Sequence, residues 1–349
     1  MYELGITAQD ANRRLDKFLF MYMKGAPHSL IYKLLRKKRI KLNGKRAVGG
    51  ELLQDGDVLG FHLSKETLEG LRAERNIEAN RSNHNSASLD DGVLAHNQLT
   101  MQYRHDFAKL KLPEIIFEDQ HLLILNKPAG MPSHGGMKNK EAHLLARVLH
   151  YLRETGAYPP DATFTPALCN RLDVNTSGLV ICGKNYQAIR AVNALFAVPG
   201  SVVKEYLAVV DGELSGEATL EGHYQKDTAT NIARITNAPG EPRVITAYSS
   251  IAIAGGRTLL SVNPITGRSH QIRAHLASIG HPLSGDKKYG GRPIPYSTGQ
   301  LLHCRRVALA KPSGLPYPDG VTWIAGLPDG FRQLVRSWFG EGSVTVSGV

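Results

Sequence analysis

The chain contains little cysteine and no long apolar run, and each shortage excludes a class of protein. Its 349 residues include three cysteines, Cys169, Cys182 and Cys304, without C-x-x-C spacing. Such thiols cannot build a disulfide framework, so we expect reduced cysteines and a cytoplasmic protein. No stretch of about 18 apolar residues occurs, so no membrane span is expected. The chain begins without a basic segment leading into an apolar one, so we expect no signal peptide.

Acidic residues are also in short supply. Aspartate and glutamate number 31 against 42 lysines and arginines, which gives a formal net charge of +11. The imbalance is uneven, since residues 1–63 hold 12 cations and six acids, whereas residues 64–111 hold seven of each. A basic chain suits a polyanionic partner. Many basic proteins bind no nucleic acid, however, so the motifs must decide.

The first 63 residues have the pattern of a small separate domain. Helical patterns at residues 14–19 and 30–35 precede an alternating run at residues 40–42, which predicts a strand. Asn43-Gly44 follows that strand and is typical of a two-residue hairpin turn. The order of these elements resembles the small α-L RNA-binding module.

Cations are concentrated in the same domain. Eight lie between Lys33 and Arg46, without a single acid. Such a run can be a solvated helix face. Because these cations fall on one short helix and the turn after it, we favour a surface that binds RNA phosphates. The expected RNA-binding residues are Arg14, Lys33, Arg36, Lys37, Lys38, Arg39 and Lys41.

Residues 64–112 have the composition of a flexible linker. The segment at residues 80–88 contains no β-branched or aromatic residue and cannot build a core. A structureless segment of this length is unusual inside a compact domain. We therefore expect the N-terminal module to move independently of a second domain at residues 113–345.

The most informative stretch runs from Asn170 to Gly178, with the sequence NRLDVNTSG. It places one carboxylate, Asp173, among turn-forming residues, and an apolar strand-like run follows at residues 179–182. A carboxylate on a loop beside a buried strand can act as a nucleophile or base. It can equally cap a turn, because aspartate bonds its own backbone in loops. The stretch alone leaves both interpretations open.

A second polar stretch, residues 266–282, predicts a helix over residues 268–281. Apolar residues recur there at intervals of four and three, and Ser269 precedes them as a suitable N-cap. His270 and Arg273 are three residues apart and therefore share one helix face. Arg273 could pair there with a carboxylate from another segment. His270 and His275 lack the four-residue spacing that would aim both at one metal ion, so no metal site is expected.

These stretches resemble the signatures of the RluA family of RNA pseudouridine synthases, H-R-L-D-x-x-T-S-G and G-R-[ST]-H-Q-[IL]-R-x-H. Two further segments resemble the family's N-K-P-x-G and K-x-Y-x-A-x-V motifs, at residues 124–130 and 204–210. The resemblance extends from about residue 113 to residue 338, with the four motifs in the family's order. The chain departs from the pattern at Asn170, where most relatives have histidine. Asparagine, unlike histidine, cannot become a cation.

The resemblance implies roles for particular residues. Asp173 would start the exchange of the uracil by attacking either the ribose or the base. Arg273 would pair with Asp173 and keep it ionised and oriented. Tyr206 would stack against the uracil and help to remove the proton from its carbon 5. Three further residues are expected to bind the uridine once it is flipped out of the RNA: Arg171, His270 and Gln271.

The family also implies an α+β fold, with a mixed, largely antiparallel sheet and covering helices beside the α-L module. Strand-like runs support this sheet, and we predict strands at residues 122–125, 179–182, 206–210, 258–262 and 321–325. The isomerisation is energetically neutral, so no cofactor is expected. The basic module favours large-subunit ribosomal RNA over transfer RNA as the target, and we expect a monomer. Two interpretations from other classes stay open at this point: an inactive RNA-binding protein of ribosome assembly, and a hydrolase of N-glycosidic bonds with Asp173 as nucleophile.

Overall fold

The structure is a computed structural model that describes most of the chain. It covers residues 1–7, 10–72, 111–135, 143–159, 162, 164–227, 230–236, 240–294 and 299–342. The chain divides into two compact units. The first unit comprises Met1–Leu110, Leu149–Pro166 and Lys184–Arg190. The second comprises Lys111–Val148, Ala167–Gly183 and Ala191–Val349.

The N-terminal part of the first unit is a small antiparallel sheet with three helices. Its strands are β1 (Tyr2–Gly5), β2 (Ile40–Leu42), β3 (Lys45–Arg46) and β4 (Val58–Phe61), in the order β1-β4-β2-β3. Its helices are α1 (Leu15–Tyr22), α2 (His28–Arg36) and α3 (Lys65–Arg72). Asn43 and Gly44 join β2 to β3 with φ values of 50° and 74°. Both lie in the left-handed region that a type I′ hairpin turn requires, so the predicted turn is confirmed.

Helix α3 lies within the segment that its composition assigned to the linker. Leu68 is buried in the same apolar core as α1 and α2, and the Leu71 carbonyl accepts a hydrogen bond from Gly25 N at 2.9 Å. Leu68 and Leu71 are three residues apart and therefore share the buried face of the helix. The folded N-terminal region thus extends to Arg72, and residues 73–110 of the predicted linker lie outside the described residues.

Arg13 connects the N-terminal region with later segments of the first unit. Its side chain is buried, and its guanidinium lies 4.6 Å from the ring centroid of Tyr186 and 5.7 Å from that of Phe164. Both rings belong to the range predicted as the second domain. The division in space therefore does not follow the division in sequence, and independent movement of the module stays a prediction.

The second unit is built on an 11-stranded sheet. In chain order its strands are β5 (Glu114–Glu118), β6 (Leu122–Lys127), β7 (Ala167–Leu168), β8 (Ser177–Gly183), β9 (Val202–Asp211), β10 (Glu217–Asp227), β11 (Ile232–Thr236), β12 (Arg243–Ala254), β13 (Arg257–Pro264), β14 (Leu302–Leu309) and β15 (Val321–Ile324). The order is β11-β10-β12-β13-β9-β14-β8-β6-β5, with β15 paired to β14 and β7 to β8. Among the described pairings only β8–β14 is parallel, so the predicted α+β fold with a largely antiparallel sheet is confirmed.

The remaining helices are α4 (Leu144–Glu154), α5 (Tyr186–Ala197), α6 (Gln271–Ser278) and α7 (Asp329–Phe339), with a 3-10 helix at Lys287–Tyr289. The strands predicted at residues 122–125, 179–182, 206–210, 258–262 and 321–325 are all present, as β6, β8, β9, β13 and β15. The close approach of β8 to β14 depends on Gly178. Its φ is +113°, and a Cβ there would overlap the backbone carbonyl of Cys304. Only glycine satisfies both constraints.

Candidate active site

Asp173 lies at the junction of two clefts in the second unit. The larger, of about 590 Å³, is lined by the loop before β8, by β9 and by the loop that leads into α6. The smaller, of about 420 Å³, is lined by residues 132–135 and by Lys288. The two polar stretches therefore converge on one concave region, as in a binding site. Three further motif residues line both clefts: Arg171, His270 and Arg273.

Asp173 and Arg273 form an ion pair although they are 100 residues apart in the sequence. Arg273 Nη1 donates to Asp173 Oδ2 at 2.9 Å, within the 4 Å usual for an ion pair. The Arg273 side chain is 8% exposed and that of Asp173 is 23% exposed. The carboxylate is thus open to the clefts while its partner is enclosed.

Asp286 and Tyr289 fix the orientation of Arg273. Arg273 Nε and Nη2 donate to the two oxygens of Asp286 at 2.7 and 2.8 Å, and the Asp286 side chain is only 1% exposed. The Tyr289 ring centroid lies 4.9 Å from the guanidinium carbon. Burial alone would lower the pKa of Arg273, but the hydrogen bonds to Asp286 and Asp173 raise it above its ordinary value. Neither Asp286 nor Tyr289 was predicted from the sequence; a cluster of charged and aromatic side chains between Gly285 and Gly290 was the available signal.

Lys127 holds the backbone of the Asp173 loop in place. This fully buried ammonium donates to the carbonyls of Pro128, Met131 and Val174 at 3.0, 2.7 and 3.1 Å. Burial lowers the pKa of Lys127 to about 7, against the opposing effect of the Asp173 charge. Within the described residues, the Asp173 carboxylate bonds Arg273 rather than its own loop. The turn is therefore stabilised without this carboxylate, which disfavours the turn-capping interpretation.

His270 and Tyr206 lie near the ion pair. His270 Nε2 is 3.7 Å from Asp173 Oδ2, and Nδ1 shares a 3.0 Å hydrogen bond with the Tyr289 hydroxyl. Burial is the largest cause that lowers the pKa of His270, which favours the neutral ring. Tyr206 lines the larger cleft, and its side chain is hydrogen-bonded to that of Cys304. Burial raises the pKa of Tyr206 well above its ordinary value, so the phenol keeps its proton.

Gln271 lines the larger cleft, and its side-chain amide is hydrogen-bonded within the protein. Its Oε1 accepts hydrogen bonds from Thr266 Oγ1 and Arg268 N, and its Nε2 donates to Ile245 O and Thr246 Oγ1. This buried amide therefore stabilises the loop before α6. The N-cap predicted at Ser269 is wrong. The helix α6 begins at Gln271, and the residue before it, His270, has a left-handed conformation with φ 56°. The helix is accordingly shorter than the predicted range of 268–281.

Asn170 has a structural role in this chain. Its Nδ2 donates to Leu179 O at 3.1 Å, and its Oδ1 accepts from Ile181 N at 2.8 Å. One side chain therefore extends the hydrogen bonding of β8 towards the Asp173 loop. The donor and acceptor of the amide are both engaged by backbone, so the departure from histidine leaves the support of the loop intact. Arg171, the next residue, is exposed at the mouths of both clefts.

The cations expected to bind RNA lie on the N-terminal region of the first unit. Arg14 donates to Asp16, at 3.2 Å from Nε and 2.8 Å from Nη2. Arg36 ends α2, and Lys41 lies on the short strand β2. All of these cations are exposed except the half-buried Lys41: Arg14, Lys33, Arg36, Lys37, Lys38 and Arg39.

The described parts of the chain contain neither a candidate metal cluster nor a helix that could span a membrane. In these parts no group of three or more histidine, cysteine, aspartate or glutamate side chains could hold a metal ion. None of the helices described has the length and apolar character needed to cross a membrane.

The chain is similar to known proteins along most of its length. Residues 121–278 match the family model described as RNA pseudouridylate synthase. The chain is 31% identical to ribosomal large subunit pseudouridine synthase C of Vibrio parahaemolyticus, over 87% of this chain and 86% of that protein. It is 32% identical to the protein of the same name from Escherichia coli K12, over 83% and 80%. Human RNA pseudouridylate synthase domain containing 4 shares the fold, with a TM-score of 0.51 and 19% identity over 73% of this chain and 97% of that one.

Proposed function

We propose that this chain, which belongs to the RluA family of RNA pseudouridine synthases, isomerises specific uridines of large-subunit ribosomal RNA in the cytoplasm. The relatives in Vibrio parahaemolyticus and Escherichia coli are named for that substrate. The exposed cations of the N-terminal region support a large, polyanionic target. The single observation that carries the proposal is the contact of Arg273 with Asp173 at the junction of the clefts.

Asp173 is the proposed nucleophile. Arg273 binds its Oδ2 and leaves Oδ1 as the oxygen that Arg273 does not engage. In the reaction the bond between ribose C1′ and uracil N1 breaks, the base rotates, and C1′ joins carbon 5. Carbon 5 loses its proton and N1 gains one, so that the product is an isomer of uridine and the carboxylate is released unchanged. Attack by the carboxylate on the ribose or the base would start this exchange. A carboxylate fixed by a rigid guanidinium needs little reorganisation to react.

Tyr206 is proposed as the surface on which the uracil stacks. Its raised pKa makes the phenol a poor base, because it would first have to lose its own proton. Its part in removing the carbon 5 proton would therefore need a second group to accept the phenolic proton. His270, neutral and close to Asp173, and the exposed Arg171 are proposed to contact the flipped uridine.

The test is to map the products formed on ribosomal RNA. Purified protein is incubated with unmodified large-subunit RNA, and pseudouridines and abasic sites are mapped beside a reaction with Asp173→Asn. We expect pseudouridine at defined positions with the native protein and none with Asp173→Asn, while folding and RNA affinity stay unchanged. Residual turnover within about tenfold of the native rate, equivalent to ~1.4 kcal/mol of barrier, would exclude Asp173 as the nucleophile.

The alternative functions give different products. Abasic sites instead of pseudouridine would indicate an N-glycosidic hydrolase. Binding without any change in the RNA would indicate an inactive ribosome-assembly protein. Modification of transfer RNA, with ribosomal RNA left untouched, would move the target to the other substrate of the family.

A further inference from the structure

Lys204 is an unusual cation in the larger cleft. It lies on β9, two residues before Tyr206, and both residues line this cleft because alternate strand residues share a face. Glu205, between them, pairs instead with Arg305, at 3.1 Å between Oε1 and Nη1. On this strand Glu205 therefore pairs with Arg305, while Lys204 faces the larger cleft.

Among the described residues, the Lys204 ammonium has no ion pair and no hydrogen bond, and its electrostatic neighbour is the Cys304 thiol. The Lys204 side chain is nevertheless half-buried, and burial lowers the pKa of its ammonium group. A cation withdrawn from water without a partner is costly for a folded protein. An anionic ligand that enters the cleft would compensate this cost.

Arg268 places a second cation beside Lys204 in the larger cleft, which Arg171, Arg243 and Arg273 also line. It is exposed on the loop before α6, next to Gly267, and the Lys204 ammonium lies close to that loop. A Cβ built on Gly267 would be 3.6 Å from Lys204 Nζ, so the absence of a side chain leaves room beside the ammonium. Asp173, the one carboxylate among the described residues that line this cleft, is already bound by Arg273. The wall formed by Lys204 and Arg268 therefore keeps its positive charge.

We propose that Lys204 and Arg268 form a subsite for one backbone phosphate of the RNA, next to the uridine that stacks on Tyr206. This inference rests on the proposed function. Lysine supplies a compact charge and arginine a planar set of donors, and both bind phosphate oxygens. The position of Arg268 on an exposed loop favours a phosphate at the mouth of the cleft over a carbonyl group of the enclosed base. The subsite would hold the strand while the nucleotide is flipped.

The experiment combines protein variants with a neutral phosphate. A short RNA around a mapped uridine is prepared in native form and with a single methylphosphonate on either side of that uridine. Single-turnover rates are measured as a function of protein concentration for the native protein, Lys204→Met and Lys204→Arg. We expect Lys204→Met to weaken half-saturation at least tenfold on native RNA, and Lys204→Arg to restore most of it. On the methylphosphonate RNA that lacks the recognised phosphate charge, Lys204→Met should change the protein concentration at half-saturation by less than about twofold.

The controls separate the subsite from the proposed function. Lys311→Met removes an exposed lysine that does not line the cleft, and its effect should be the same on all three RNAs. Arg268→Gln should lose its effect on the same methylphosphonate RNA as Lys204→Met. If the native protein forms pseudouridine but the effects of Lys204→Met and of each methylphosphonate multiply independently, the subsite is wrong. If the native protein forms no pseudouridine, the proposed function fails instead.

Discussion

Two arginine–aspartate pairs, one in each unit, combine the same groups in different surroundings. In the first unit Arg14 makes two hydrogen bonds to Asp16, and its side chain is 55% exposed. In the second unit Arg273 makes two to Asp286, with 8% of its side chain exposed. Water and salt reach the Arg14 guanidinium, although the Asp16 side chain is only 3% exposed, whereas they screen the Arg273–Asp286 pair only weakly. An exposed guanidinium can exchange its partner for a phosphate at small cost, whereas a buried one keeps its orientation. On this basis we expect the exposed cations of the first unit to bind RNA and Arg273 to position Asp173.

Replacing Arg273 should have the largest effect. Arg273→Met removes the group that orients Asp173, and we expect the single-turnover rate to fall by at least about 10³-fold, the upper range for loss of one fixed electrostatic donor. Arg273→Lys should recover only part of this loss, because a point charge cannot bond Asp173 and Asp286 with the geometry of the guanidinium. Rates with saturating RNA provide the measurement. A rate for Arg273→Met within tenfold of the native rate would show that Asp173 is oriented by other groups.

Asp286→Asn should lower stability and activity together. It leaves the buried Arg273 without its main counter-charge, and breaking a buried pair typically costs about 3–5 kcal/mol. Denaturant unfolding measures the loss of stability, and single-turnover kinetics at low denaturant measures the loss of rate. Glu221→Gln is the matched control, since Glu221 pairs with Arg243 on the surface and its loss should leave stability nearly unchanged. Equal effects of the two substitutions would remove the distinction between buried and exposed pairs.

The cations of the first unit should affect binding more than chemistry. Changing Arg36, Lys37, Lys38 and Arg39 together to glutamine should lower RNA affinity at least tenfold. The slope of log affinity against log salt should fall by roughly 0.7 to 0.9 for each phosphate that the variant no longer neutralises. The single-turnover rate at saturation should change only a few-fold. Normal binding with slow turnover would assign these cations to the assembly of the active site.

These substitutions are cleaner than removal of residues 1–63. Such a deletion would also remove Arg13 from the rings of Phe164 and Tyr186 and would expose Leu68. The loss of packing would then be confused with the loss of charge.

Arg14→Gln should have the smallest effect. Because Arg14 is exposed, and because the buried Asp16 keeps its hydrogen bonds from Lys17 N and the Tyr32 hydroxyl, we expect little change in the melting temperature. RNA affinity should fall a few-fold at low salt, and the difference should vanish at high salt as screening removes the contribution of one charge. A clear drop in melting temperature would show that this pair is structural, like its buried counterpart.

Local sequence patterns predicted elements of the fold, and the family resemblance supplied the rest. Apolar runs predicted five strands of the large sheet, because the buried face of a strand is encoded in neighbouring residues. The α+β fold class and the contact between Asp173 and Arg273 were implied by the resemblance of four motifs to the family. The roles assigned to these residues in the reaction stay predictions.

The features that escaped prediction depend on partners distant in sequence. Asp286 lies between glycines, in a segment that local rules describe as a turn, and only the folded chain brings it to Arg273. The motif that contains Gln271 does not reveal that Ile245 and Thr246 occupy its amide, and its part in binding substrate stays a prediction. For Lys204 the motif indicated only a strand and no binding role. Its unpaired charge depends on the fold, in which Glu205 faces elsewhere.

The buried ammonium of Lys127 also makes the Asp173 loop a kinetic reporter. An acylating reagent can reach this nitrogen only when the three carbonyls that hold it separate. Burial is what lowers the pKa of Lys127 to about 7, so once released it reacts like an ordinary exposed lysine. The time course of its modification, followed by mass spectrometry against that of exposed lysines, therefore measures how often the loop opens. Bound RNA that covers the loop should slow the modification of Lys127. Lys127 would thus record each occasion on which the loop that carries Asp173 loses its support.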